Sequence, residues 1–187
     1  MKKTSRPTTQ LLHIIFCMLC LCTISKTAVA QNQTARVTPT GIWYYEYLPP
    51  DYNSNTNKYP VVFFLHGLGE RGDTEATLPK VAYNGPPRHV KNGYKFPFIL
   101  ISPQLKSANG SWGAKYIDAV IEHCRSTLRI DPARIYLTGL SLGGGGTWGY
   151  IQDPVLNQKI AAAAVICGHQ NSLAKACNIV NSGIPVW

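Results

Sequence analysis

The chain has 187 residues, 45% of them hydrophobic, and 18 Lys and Arg against 9 Asp and Glu give it a formal charge of +9. That length allows one domain with a real core. The positive residues are scattered, with no Lys/Arg run and no recognised binding motif. The charge therefore reads as a solvated surface, and a nucleic-acid partner is not expected.

Residues 1–30 have the layout of an export signal. Lys2, Lys3 and Arg6 form a basic start, Leu11 to Cys22 an apolar stretch, and Ala28-Val29-Ala30 a small-residue cleavage site. The stretch is about a dozen residues long, against roughly 20 needed to span a bilayer. The expectation is a signal peptide over 1–30 and an α/β domain over 31–187. The mature chain would have no stable membrane anchor and would be exported, periplasmic or secreted in a bacterium. Lys2, Lys3, Arg6 and Lys26 leave with the leader, which lowers the formal charge from +9 to +5. Cys17, Cys20 and Cys22 leave too. Of the rest, Cys167 and Cys177 could bridge in an oxidising compartment, and Cys124 reads as a buried thiol. Three cysteines without C-x-x-C pairing lack metal-ligand spacing, so no metal is expected.

Along the mature chain, strand and helix signals alternate, which argues α/β with a mostly parallel sheet and flanking helices. Ile42 to Leu48 is a β-rich run ended by Pro49-Pro50, and a polar, asparagine-rich turn fills 51–59. Val61 to Leu65, Phe98 to Ile101 and Ile135 to Leu137 are continuous apolar runs, as in strands buried on both faces. Ile117, Val120, Ile121, Cys124 and Leu128 recur at helical spacing. Asp131-Pro132 should break that helix and lead into the next strand. Ile160 to Ile166 is ambiguous by periodicity, and its place after a helix favours a strand. Ile184 to Trp187 reads as the first half of another strand.

Gly139-Leu140-Ser141-Leu142-Gly143 stands between a strand signal and a glycine-rich helix start. That is the G-x-S-x-G nucleophile elbow in its strand–turn–helix setting. It would expose the Ser141 hydroxyl above the sheet, with the following helix N-terminus favouring negative charge there. The alternative is a glycine-rich turn with an incidental serine. Straight after the Val61–Leu65 strand comes His66-Gly67-Leu68-Gly69-Glu70-Arg71-Gly72. A hydrolase of this type takes one oxyanion donor from the residue after the serine and one from this loop, so the candidates are the backbone N–H groups of Leu142 and Leu68. Gly67 and Gly69 would let the loop approach substrate closely. His66 precedes the serine, whereas this architecture orders serine, acid, histidine, so it is not expected to be the base.

Two patterns compete with the elbow. Asn109-Gly110-Ser111-Trp112-Gly113 is a near miss that follows no strand, so Ser111 reads as loop. Gly144-Gly145-Gly146-Thr147-Trp148-Gly149 fits G-x-G-x-x-G but begins after the serine. No acidic residue lies about 20 positions on, so no dinucleotide and no other cofactor is expected.

Leu65 to Gly72, Ser102-Pro103-Gln104, Asp131 to Gly144 and Ile166-Cys167-Gly168, taken in order, resemble the exported α/β-hydrolases of the phospholipase/carboxylesterase (predicted peptidase) type. These are relatives of polyhydroxybutyrate depolymerases and feruloyl esterases. The resemblance covers roughly residues 40–187. It implies an α/β-hydrolase fold, Ser141 as nucleophile, an oxyanion hole from Leu68 and Leu142, and Trp112 either in the substrate pocket or as a core or lid residue. It also implies hydrolysis of a small-molecule or polymer-linked ester through an acyl-enzyme. In that family a phrase like Ile184 to Trp187 opens the strand that leads to the catalytic aspartate, and a histidine follows. After Ser141 this sequence holds only Asp153 and His169, and neither stands in the family's place. The expectation is an N-terminal part of a serine esterase, with the last strands, the acid and the base beyond Trp187. A non-catalytic binding module on the same fold and a serine peptidase are the alternatives.

Overall fold

The structure is a computed structural model that describes residues 33–169 and 173–187. The export signal expected over residues 1–30 lies outside the described residues. Six strands form one sheet: β1 (Thr34–Val37), β2 (Trp43–Tyr47), β3 (Tyr59–Leu65), β4 (Ile99–Pro103), β5 (Ile130–Leu140) and β6 (Ala162–Ile166). Their spatial order is β1-β2-β4-β3-β5-β6. The four strands from β4 to β6 are parallel, while β1 and β2 join antiparallel at one edge. The difference follows from the connections. A tight turn closes β1 onto β2, with Thr38 N–H donating to Ile42 O at 3.0 Å, whereas parallel neighbours need long crossovers.

The crossovers supply the helices. α1 (Gly85–Lys91) precedes β4, α2 (Ala114–Thr127) precedes β5, α3 (Leu142–Ile151) follows it, and α4 (Ala176–Ser182) comes after β6. β3 sits at the centre and shows how sequence becomes core. Its alternate residues point to opposite faces. Val61, Phe63 and Leu65 pack with Ile117, Val120, Ile121 and Cys124 of α2. Phe64 packs on the other side with Val90 of α1, Tyr47 and Leu100. Being buried on both faces is why the run Tyr59 to Leu65 carries no polar alternation. Cys124 is fully buried, and burial pushes its thiol up to about 12.

Four features differ from the sequence reading. β1 is a short edge strand whose side chains are largely exposed, so it has no apolar pattern to betray it. Glu75–Tyr83 forms 3-10 turns around Pro79, and α1 opens on Pro86 and Pro87, where a missing N–H costs nothing. Asp131-Pro132 does not precede the strand but lies within it. Two residues of β3 (Tyr59 and Val61) face Ile130 and Ile135, so Asp131 to Arg134 bulge outward. The bulge is held by Asp131, which accepts from Ala133 N–H at 2.9 Å and Arg134 Nε at 2.6 Å. At the other edge, the expected new strand begins to pair with β6. Trp187 N–H donates to Ala163 O at 3.1 Å, and Ala163 N–H to Pro185 O at 3.0 Å.

α3 runs over the ends of β3 and β5 at a distance that leaves no space for side chains. A Cβ on Gly139 would lie 2.3 Å from the Gly143 carbonyl oxygen, and one on Gly143 would lie 2.0 Å from the Leu65 carbonyl oxygen. Both obstacles are backbone and cannot rotate away. Gly143→Ala is therefore expected to lower unfolding free energy by more than about 3 kcal/mol or to prevent folding, an overpacking cost at or above the usual range. Gly69→Ala, whose Cβ meets open space, should stay within about 0.5 kcal/mol in the same urea titration.

Candidate active site

Ser141 is the residue at which β5 turns into α3. Its backbone is at φ 55°, ψ −111°, a region in which an L-residue is strained by about 1–3 kcal/mol. The turn is held on both sides: Ser141 N–H donates to Ile166 O at 2.8 Å, and Gly145 N–H to Ser141 O at 3.0 Å. The side chain is exposed and borders a cavity of about 290 Å³. Leu142, Leu68 and Trp112 line the same cavity, as do Ser111, Cys167 and His169. The structure thus brings together all four residues expected at the site.

The two expected donors are both first residues of helical segments. Leu142 opens α3 and Leu68 opens the 3-10 turn Leu68–Glu70. The N–H groups at such positions have no partner within their own helix. At Leu142 the α3 dipole adds a preference for negative charge. Two of the loop glycines are tight: a Cβ on Gly67 would lie 3.2 Å from Glu70 Oε2 and 3.8 Å from Ser141 Cβ, and one on Gly72 would lie 2.2 Å from Thr77 Oγ1 and 2.7 Å from Gln104 Nε2. Gly69 has no neighbour within 4 Å, so no contact within the chain requires a glycine there.

His66 is buried, and both ring nitrogens are committed. Leu105 N–H lies 2.9 Å from Nε2, which must accept, so Nδ1 carries the proton and donates to Gly67 O at 2.6 Å. Burial pulls the imidazole below its ordinary value of 6.5, against the weaker opposing pull of the Gly67 carbonyl and of Glu70. A neutral histidine with no free nitrogen is a strut and not a base. Its own carbonyl accepts from Trp112 Nε1–H at 3.0 Å, and the two rings meet edge to face at 5.0 Å. Trp112 is therefore both core and cavity wall: it is only 4% exposed, yet it borders the cavity.

Sequence reasoning gave no role to the residues that hold the loop. Gln104, 1% exposed, donates from Nε2 to Glu70 O and to Thr77 O, both at 2.8 Å. Asn84 Nδ2 donates to the buried Glu70 carboxylate at 2.6 Å. Arg71 reaches Leu68 O at 3.2 Å and Asn109 O at 3.0 Å, tying the loop to the segment before Ser111. The only sequence signal was the phrase Ser102-Pro103-Gln104.

Asp153 stands beyond the far end of α3. Ten helical residues rise about 15 Å, and the carboxylate is used locally. It accepts from Val155 N–H at 2.9 Å and Leu156 N–H at 3.1 Å, bonds that hold it below the usual carboxylate range. His169 borders the cavity but takes part in no hydrogen bond or ion pair formed among the described residues. The structure therefore brings His169 toward Ser141 and leaves Asp153 apart. Ser111 lies in a loop, as expected, and shares the cavity, which its sequence context did not suggest. The G-x-G-x-x-G glycines lie inside α3, where Gly144 packs on Gly168 and Gly146 on Trp112. Cys167 and Cys177 are free, exposed thiols, so the bridge their spacing allowed is not formed. Among the described residues no cluster of His, Cys, Asp or Glu could hold a metal, and no helix is long and apolar enough to cross a membrane.

No protein-family model and no curated protein sequence matches the chain. Solved structures do match. A thermostable esterase is 32% identical with a TM-score of 0.59, over 83% of this chain and 44% of that one. The feruloyl esterase module from Clostridium thermocellum is 19% identical with a TM-score of 0.56, over 80% and 59%. S-formylglutathione hydrolase from Staphylococcus aureus is 19% identical with a TM-score of 0.54, over 80% and 61%. The last two likenesses concern the fold alone. The chain has an α/β-hydrolase fold and spans about half the length of these structures.

The commitment of His66 has a pH consequence. When unfolded it takes a proton near pH 6.5; when folded it stays neutral to lower pH. The unfolded state then binds more protons below about pH 6.5, so stability falls as pH falls, by up to about 1.4 kcal/mol per pH unit, until the folded pKa is reached. His66→Gln should lose this component. Urea midpoints between pH 7.5 and 5 would show it, and parallel curves for the two proteins would contradict it.

Proposed function

We propose that the chain carries the nucleophile and oxyanion hole of an exported serine esterase that hydrolyses carboxylic esters. The observation that carries the reading is Ser141, held at positive φ at the N-cap of α3 and facing the cavity that Leu68 and Leu142 also line. Ser141 Oγ attacks the ester carbonyl, and the Leu68 and Leu142 N–H groups hold the oxyanion. The alcohol leaves, and water then releases the acid from the acyl-enzyme. Each donor contributes roughly 2.7–4 kcal/mol in the transition state. The 290 Å³ cavity, walled by Leu68 and Trp112, suits a small or polymer-linked ester group. No cofactor enters the reaction.

The general base and its orienting acid are assigned to none of the described residues: Asp153 is spent on the turn after α3, His66 has no free nitrogen, and His169 borders the cavity with no acid bonded to it. The 32% identity to a thermostable esterase supports an ester substrate. The sequence pattern of an export signal over residues 1–30 supports work in the periplasm or outside the cell.

The test uses full-length protein and p-nitrophenyl acetate. Ser141→Ala should lower kcat by about 10⁴-fold or more, as loss of a nucleophile does. Ser111→Ala, in the same cavity, should stay within about threefold. Retained hydrolysis in Ser141→Ala, or an equal loss in Ser111→Ala, would sink the assignment.

A further inference from the structure

The direction of the Leu68 N–H depends on the loop 66–72, which is held largely from one place. The two residues that follow β4 make three bonds to it. Leu105 N–H donates to His66 Nε2 at 2.9 Å, Gln104 Nε2 donates to Glu70 O at 2.8 Å, and Gly72 N–H donates to Leu105 O at 3.0 Å. The first grips the loop before Leu68, and the other two grip it after. Gln104 is the one side chain of the pair that makes such a bond, and both of its Nε2–H groups are used. Nε2 also donates to Thr77 O at 2.8 Å, and Oε1 lies 3.0 Å from Thr77 Oγ1, whose one proton is shared with Thr74 O at 2.8 Å. Its backbone is fixed in turn, with N–H on Trp43 O at 2.8 Å and C=O taking the Tyr116 hydroxyl at 2.7 Å. A carboxamide so held cannot follow the loop, so the loop must conform to it.

We infer that Gln104 is a positioning residue for the oxyanion hole, fixing the Leu68 N–H through the Glu70 carbonyl; this rests on the serine-esterase reading above. Gln104 does not touch substrate. Without its Nε2–H groups, the 3-10 turn Leu68–Glu70 loses the downstream bond made directly to it at the Glu70 carbonyl, while Gly72 N–H stays on Leu105 O, and the donor aim loosens. A buried amide whose role was only to fill the core would leave the donor direction unchanged.

The two roles separate on matched aryl oxoesters and thionoesters of one acid, measured with full-length protein. A thiocarbonyl sulfur gains little from N–H donors, so a loosened oxyanion hole slows the oxoester selectively. Gln104→Met, nearly isosteric, and Gln104→Glu, which sets a carboxylate against two carbonyls, are both measured. The expected result is a drop in oxoester kcat of about 10- to 100-fold with KM within about threefold, somewhat less than full removal of a donor. The thionoester rate should fall by less than about threefold, since the chemistry at Ser141 is untouched. Both esters are measured on one preparation, so misfolded protein lowers both alike and leaves their ratio unmoved. An unmoved ratio in both variants overturns the positioning role. Ser141→Ala should abolish both activities. Survival of either there overturns the nucleophile assignment itself, which is a separate failure.

Discussion

The site depends on one steric constraint. Helix α3 crosses the ends of β3 and β5 with backbone against backbone, and the carbonyls of Leu65 and Gly143 occupy the places where two Cβ atoms would stand. The chain can make that crossing only by turning sharply at residue 141. The turn puts Ser141 at φ 55° and makes it the N-cap of the helix. The strain of about 1–3 kcal/mol is retained because the surrounding sheet and helix over-determine the turn. The same crossing sets the Leu142 N–H beside the serine, so the proposed nucleophile and the first proposed donor come from one event in the fold.

The second proposed donor, Leu68 N–H, comes from a different principle. The loop after β3 has little apolar packing of its own; Leu68 is 55% exposed. Its shape is kept by hydrogen bonds, buried ones at His66 and Gln104 and more open ones at Glu70 and Arg71. Such groups cost a great deal when unpaired and little when satisfied. His66 shows the logic most clearly. With Leu105 N–H aimed at Nε2, a proton there would meet a donor, so burial and geometry together hold the ring neutral. The histidine that chain order already set aside as the base is a loop strut.

Much of this was legible in the sequence where the signal was local. β3 and β4 announced themselves as unbroken apolar runs because both faces are buried. Ser141 was legible because its motif, the strand before it and the glycines after it are contiguous. Leu68 followed from its place behind β3. The misses were of other kinds. β1 is an exposed edge with no pattern. The bulge at Asp131 to Arg134 depends on pairing with β3, some seventy positions away. The turns over Glu75–Tyr83 contain a proline, and helix α1 opens on two. Gln104 escaped because its partners lie 34 and 27 positions away, and nothing near it in the chain says what a buried carboxamide would hold. Ser111 and His169 reach the cavity by tertiary folding alone.

The most direct measurement is the site of a fluorophosphonate adduct on full-length protein, found by mass spectrometry of tryptic peptides. Cleavage after Arg134 and Lys159 gives a peptide whose one serine is Ser141, and cleavage after Lys106 and Lys115 gives a peptide with Ser107 and Ser111, so the two cavity serines are read apart. The predicted result is a single adduct on the peptide that contains Ser141. An adduct on the Ser111 peptide, or labelling that leaves the Ser141 peptide unmodified, would contradict the assignment of Ser141 as the nucleophile.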